Sequence, residues 1–308
     1  MNAPWTVLGT PSGAGACGVG QDQAPRALRD AGLVDELQAA GADVKDKGDS
    51  PVTPWRPDRS MPRAQNLAAV VDAVQSTATR VADALQDSGR RALVLGGDCT
   101  VGIGTIAGAQ QVLGDVAVVY FDLHSDLNTP ASAADGALDW MALAHLLGTD
   151  GTEPALAGAT GQSPSLTPDQ VFLFGQDPRH ATRFERSELE RLALARTPVE
   201  DVRNDPESAA RQTLQSVEAR AERYVIHLDV DVVDFTDAPL SEHPSRNSGL
   251  RLDSMIAALQ VLASGDGLAA ITLTELNPHN AAADDGLLER FTAAFAGAIT
   301  FAIGSAVA

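Results

Sequence analysis

Val116-Ala117-Val118-Val119-Tyr120-Phe121-Asp122-Leu123-His124-Ser125-Asp126 joins an unbroken apolar run to a segment in which acids and an imidazole occupy alternate positions. A run rich in β-branched and aromatic residues predicts a strand covered on both faces, the environment of a parallel sheet under helices. The same change from apolar run to polar cluster recurs along the chain. Ala92–Leu95 leads into Gly96-Gly97-Asp98-Cys99-Thr100, Tyr224–Asp229 into Val230-Asp231, and Ala269–Leu273 into Thr274-Glu275. With Thr6–Gly9 and Val171–Phe174 these segments, Val116–Asp122 included, are the expected strands. Ala-rich amphipathic stretches at Pro25–Ala40, Gln65–Gln86, Ala137–Leu147, Pro206–Glu222, Leu252–Ala263 and Leu287–Phe301 are the expected helices, and Ala155–Gln170 reads as a surface loop. No repeat or long linker interrupts the alternation. The expected fold class is α/β: a three-layer α/β/α arrangement around a doubly wound, mostly parallel sheet, in a single domain over residues 1–308. In such sheets ligands bind beyond the carboxyl ends of the strands, and all four polar clusters fall there.

Composition narrows the function. Of 308 residues, 44% are hydrophobic and 20% charged, ordinary for a chain with a sizeable core. A net charge of −19, from 22 basic and 41 acidic residues, argues against nucleic acid or an anionic membrane as partner. It suits an enzyme that collects metal cations or cationic small molecules, although most of the carboxylates serve solubility. Two cysteines, Cys17 and Cys99, make no disulfide framework, the N-terminus lacks the features of a signal peptide, and no apolar run approaches a membrane span. A cytoplasmic location is expected.

If the strand ran on regularly beyond Tyr120, Asp122, His124 and Asp126 would share one face, and Asp229 and Asp231 follow the same period. Such ligands on neighbouring strand ends repel one another and raise each other's pKa; two divalent cations remove that fault. Oxygen donors with an imidazole suit a borderline-hard ion such as Mn²⁺. A lone Asp-x-Asp is more often a cap or a solvated loop, but here each motif ends an apolar strand.

These motifs resemble the fingerprints of the ureohydrolase family, which includes arginase, agmatinase and formimidoylglutamase. The family's Gly-Gly-Asp-His-Ser reads Gly-Gly-Asp-Cys-Thr at Gly96–Thr100, its Asp-x-His-x-Asp reads Asp-Leu-His-Ser-Asp at Asp122–Asp126, and its Asp-x-Asp-x-x-Asp reads Asp-Val-Asp-Val-Val-Asp at Asp229–Asp234. Ala27–Leu33, Asp43–Asp49, Asn128-Thr129-Pro130 and Glu275-Leu276-Asn277-Pro278 extend the likeness over nearly the whole chain. The resemblance implies two Mn²⁺ ions bridged by Asp122 and Asp229. Asp126 and position 99 would complete one ion, His124 and Asp231 the other, and the pair would activate a bridging water. Asp126, through its ion, and Glu275, which would hold the guanidinium, are the implied catalytic residues, and Asn128 and Glu275 the implied substrate contacts. The implied activity is hydrolysis of a C–N bond in a guanidino compound, releasing urea or a substituted urea, by a homo-oligomer, trimer or hexamer.

The sequence departs from the family in three places. Cys99 stands where the family has a histidine ligand. As a thiolate it would shift preference toward Fe²⁺, Co²⁺ or Zn²⁺; as a small buried hydrophobe it would leave one ion short of a ligand. Asp139 occupies the position of the arginase histidine that shuttles protons, and can serve as an acid only with a raised pKa; otherwise it caps the helix at Trp140 or binds a substrate cation. His243 is a weaker shuttle candidate, and His145, His180, His227 and His279 read as structural or exposed. Residues that would read the amino-acid end of arginine are mostly absent; Asp135 and Asp177 favour an amine over a carboxylate, which points to agmatine-like or modified guanidines. An N-hydroxyarginine or formimidoyl hydrolase is an alternative, as is a catalytically silent homologue acting as regulator or partner subunit.

Overall fold

The apolar runs form the inner strands of one sheet, and two polar segments close its edges. The structure is a computed structural model that describes residues 4–87, 89–159, 161–163 and 165–301. Its strands are β1 (Trp5–Gly9), β2 (Val44–Asp49), β3 (Arg91–Leu95), β4 (Ala117–Phe121), β5 (Val171–Gln176), β6 (Ala195–Pro198), β7 (Tyr224–Asp229) and β8 (Leu268–Thr274). They make an eight-stranded sheet in the order β2-β1-β3-β8-β7-β4-β5-β6. Every neighbouring pair is parallel, so the expected mostly parallel sheet is wholly so. The four strands that lead into polar clusters, β3, β8, β7 and β4, lie side by side at its centre, so their carboxyl ends converge.

Helices cover both faces. Leu28, Leu37, Leu214, Leu259 and Phe291 pack on one side, and Val70, Val74, Ile103, Ile106 and Leu143 on the other, each within a buried cluster that includes strand residues. That is the three-layer arrangement expected of an α/β fold. Several boundaries differ from expectation for physical reasons. Pro25–Ala40 is two helices, Ala24–Asp30 and Leu33–Ala39, because Gly32 takes a left-handed φ of 87° and ends the first. Ala137–Leu147 is a 3₁₀ turn, Asp139–Met141, followed by the helix Ala142–Leu147. The 155–170 segment holds part of a short helix, Pro154–Ala157, and a 3₁₀ turn, Pro168–Gln170, while positions 160 and 164 lie outside the described residues. Among the described residues no helix is long and apolar enough to cross a membrane.

The loop after β1 is stitched across the end of β3. Asp98 N–H donates to Ser12 O at 2.8 Å, and the buried Asp98 carboxylate accepts from the N–H groups of Gly15 and Thr100, each at 3.0 Å. Gly97 permits this approach, since a Cβ there would lie 1.7 Å from Ser12 O. Gly97→Ala is therefore expected to destabilise the fold by about 1–3 kcal/mol or more, because a backbone oxygen must give way. The midpoint of denaturant unfolding measures this; an unchanged midpoint would show that the loop moves aside without cost.

Candidate metal centre

At the end of β4 and again at the end of β7, an aspartate folds the chain back on itself. Asp122 Oδ1 accepts the N–H of His124 at 2.7 Å, and Asp229 Oδ1 accepts the N–H of Asp231 at 2.7 Å. One oxygen of each carboxylate fixes its loop, a local bond typical of Asp in turns. The other oxygen faces the site. Asp122 Oδ2 is buried with no partner, and Asp229 Oδ2 accepts from the Cys99 thiol at 3.1 Å. The ligands therefore do not gather by strand pleat as expected. β4 stops at Phe121, and Asp126 reaches the site through a left-handed φ of 49°. Glu275 also has a left-handed φ, 63°. For L-residues that conformation costs on the order of 1–2 kcal/mol, and at Glu275 it is held by Glu275 N–H to Gly97 O at 2.7 Å and Glu242 N–H to Glu275 O at 3.0 Å.

Donor atoms of Cys99, Asp122, Asp126 and His227 lie within 4.8 Å of one another, as do those of Asp122, His124 and Asp231. Asp122 belongs to both groups, and Asp229 touches the first through Cys99. His124 Nδ1 is 2.9 Å from Asp231 Oδ2 and 3.6 Å from Asp122 Oδ1. Asp122 Oδ2 and Asp231 Oδ1 are buried acceptors without a donor, an arrangement that is costly unless a cation answers it. The donor set fits two divalent ions.

The electrostatics agree. Burial, then the charge of Asp231, pushes Asp122 up to about 6. Burial and neighbouring carboxylates hold Asp126, Asp229 and Glu275 well above the ordinary range. Burial opposes the charged form of His124, yet Asp231 and Asp122 keep its imidazole well above its usual value. These are protons that bound cations displace.

Around this centre opens a cavity of about 470 Å³, within the range of small-molecule sites. Asp135, Asp139, Glu185, Glu242 and Glu275 line it, so it is rich in carboxylates. His180 and His243 line it too, their rings 5.5 and 5.7 Å from that of His124. Glu275 is oriented by Cys99 N–H at 2.8 Å on one oxygen and Gln21 Nε2 at 3.2 Å on the other. Asp139 accepts the N–H of Trp140 at 2.8 Å, and burial with the charges of Asp98 and Asp135 holds its carboxyl well above the usual carboxylate range. A raised pKa is what an acid at this position would require. Asn128 and Asp177 are not among the cavity's lining residues. Asn128 Oδ1 accepts from Ser132 and Thr182, and the buried Asp177 is forked by Arg179 at 2.6–3.0 Å. Asn128 Nδ2 is buried with no partner.

His145 and His279 are placed as expected. The first is buried, its Nδ1 2.7 Å from Met141 O, and burial lowers its pKa to about 4; the second meets Gln23 at the surface. His180 and His227 are not. Both reach the site, His227 as a fully buried ring at its floor. Their only signal in the sequence is position: His180 follows the end of β5, and His227 precedes Asp229 by one strand period.

Residues 3–303 match the model of the arginase family. The chain belongs to that family. Among arginases, that of Brevibacillus brevis is 31% identical over 281 residues, covering 90% of this chain and 92% of its own. The solved structure of the arginase from Bacillus caldovelox has a TM-score of 0.86 at 27% identity, covering 97% of this chain and 98% of its own. Formimidoylglutamase from Bacillus subtilis shares the arginase-family fold, with a TM-score of 0.74 at 17% identity over 97% of this chain and 87% of its own.

The raised acids give a pH test. Folded and ion-free, the arginase-family chain keeps protons on Asp122, Asp126, Asp229 and Glu275 that the unfolded chain releases at about pH 4. Their contribution to stability is present below that pH and is lost as pH rises through the folded values; the raised pKa of His124 acts in the same direction. Cations reverse the loss. The gain in melting temperature on adding Mn²⁺ is expected to be larger at about pH 8 than at about pH 5.5. A gain that ignores pH would mean that ions and these protons do not compete.

Proposed function

We propose that the chain hydrolyses a C–N bond of a cationic guanidino compound, releasing urea or a substituted urea, with two divalent ions, Mn²⁺ by preference. Asp122 and Asp229 would serve both ions, Cys99 and Asp126 would hold one, and His124 and Asp231 the other. The observation that carries this is the sharing of Asp122 between two groups of donor atoms at the floor of a carboxylate-rich cavity. Membership of the arginase family carries the class, hydrolases of C–N bonds in linear amidines. The ions supply the nucleophile, by bringing the pKa of water toward neutrality.

The chain's own residues do the rest. Glu275, fixed by Cys99 and Gln21, turns its carboxylate toward a guanidinium and holds the carbon over the centre. Asp139 carries the proton that the departing amine takes up. Asp135, Glu185 and Glu242 draw a cation in and oppose a free carboxylate at the cavity wall, which favours agmatine-like or modified guanidines over L-arginine. A carboxyl acid at position 139, in place of an imidazole, favours an N-hydroxyguanidine as the second reading, because hydroxylation lowers guanidine basicity and changes what the leaving group requires. A silent homologue is disfavoured, since it would have no cause to retain this crowding of buried acids.

Guanidines and N-hydroxyguanidines screened for release of urea or hydroxyurea with Mn²⁺, Fe²⁺, Co²⁺ or Zn²⁺ test the proposal. Turnover of at least one, with about two ions bound per chain, is expected; no turnover with well under one ion would leave the silent homologue standing. Asp126→Asn should abolish turnover. Asp139→Asn should lower kcat by about 10²–10⁴-fold with metal content unchanged, and an Asn variant with full kcat would remove Asp139 from proton transfer. Assembly as a cytoplasmic trimer or hexamer belongs to the same reading, and light scattering measures it; a monomeric mass would refute it.

A further inference from the structure

His227 has no part in the two-ion scheme just given, yet it lies against the ligands. It sits within β7 in register with Tyr120 of β4 and Thr272 of β8, one strand period before Asp229. Its ring is fully buried and stacks on Tyr120, with centroids 4.2 Å apart and planes at 12°. Nε2 is 3.3 Å from Cys99 Sγ and 3.5 Å from Thr274 Oγ1, whereas Nδ1 is buried with no partner.

That asymmetry selects a tautomer. A neutral imidazole carries one N–H. On Nδ1 the hydrogen would be a buried donor without an acceptor; on Nε2 it meets sulfur. Space for the ring is also built in. A Cβ at Gly102, in the first turn of the helix Val101–Leu113, would lie 2.3 Å from His227 Nδ1. The short Cys99 side chain of the Gly-Gly-Asp loop leaves room beside it, and an imidazole from β7, one strand beyond β8, fills it.

We propose that His227 is the positioning residue for Cys99, its Nε2–H donating to the sulfur and fixing where that sulfur would meet one ion. The inference rests on the reading of Cys99 as a ligand. The thiol S–H points to Asp229 Oδ2. With an ion bound, Cys99 would hold it with its proton released to solvent, and His227 Nε2–H would remain directed at the sulfur. Charge-assisted bonds of this kind are the stronger ones. Direct ligation by His227 Nε2 fits less well, because it would drive the ring hydrogen onto Nδ1, where no acceptor waits; metal-bound imidazoles ordinarily donate their second N–H.

Cobalt substitution tests this without reference to turnover. Full-length protein loaded with Co²⁺ should show a thiolate-to-metal charge-transfer band in the near ultraviolet. His227→Phe keeps the ring volume and the stack on Tyr120 but removes the donor; the band should move to longer wavelength and Co²⁺ affinity should fall by about 10–100-fold. His227→Gln, which restores an N–H in reach of the sulfur, should bring both back toward wild type. A band and an affinity unchanged in His227→Phe would overturn the proposal. So would a directly coordinated nitrogen in pulsed EPR of the Mn²⁺ protein that disappears in this variant, for that would make His227 a ligand. Absence of the band from the wild-type protein, with two Co²⁺ bound, is a separate failure, that of Cys99 as a ligand.

Discussion

Negative charge taken out of water at the tips of adjacent parallel strands is the constraint on which the rest of this structure depends. Asp122, Asp126, Asp229, Asp231 and Glu275 are all buried, and their oxygens converge because β3, β8, β7 and β4 are neighbours in the sheet. Burial makes each charge expensive and proximity makes the sum worse. The structure divides the labour between the two oxygens of a carboxylate. In Asp122 and Asp229 one oxygen bonds the backbone N–H of the residue two further on, which gives the loop its shape, and the other remains for a cation. Rigid, half-satisfied carboxylates of this kind are what an ion requires of its ligands: they need little rearrangement to bind, and they cannot relax when the ion is absent.

The inner strands were legible because burial on both faces leaves an unbroken apolar signature. The edge strands were not. β2 reads Val-Lys-Asp-Lys-Gly-Asp and β6 reads Ala-Arg-Thr-Pro, polar runs of the sort edges carry to avoid pairing with other chains. The helix Val101–Leu113 was hidden by its glycines, which suggest a loop; in the fold, Gly104 and Gly108 let it press against the helix Leu67–Leu85, where a Cβ would come within 2.5 Å of Val74 O and 2.4 Å of Ala78 O. At the site, alternation along the chain found the acidic ligands, but their convergence comes from turns and a left-handed Asp126, which periodicity does not encode. His227 was illegible for the opposite reason. Within an apolar strand a single imidazole carries no pattern, and only the neighbouring strands and the space at Gly102 give it a role.

Cys99, where the sequence departs from the family fingerprint, does not stand alone: its thiol and the buried imidazole of His227 are in contact. Near the centre, the charges of Asp98 and Asp135 add to burial in raising the Asp139 carboxyl, and those of Asp139 and Asp98 add to burial in raising Glu275. A carboxyl in such company stays protonated where an isolated one would ionise, and the crowding that demands cations below also maintains an acid above.

Gln21 and Glu275 are 254 positions apart, and the bond between them joins the first loop of the chain to the end of its last strand. The same ends meet again where Gly97 O accepts from Glu275 N–H and Ser12 O from Asp98 N–H. A nascent chain still lacking β8 has neither Glu275 nor the strand that lies between β3 and β7. Closing contacts over such long sequence separations is slow and comes late. The cluster of strand ends is thus complete only once β8 has joined the sheet between β3 and β7, so a site that needs all of them takes shape late in folding rather than seeding it.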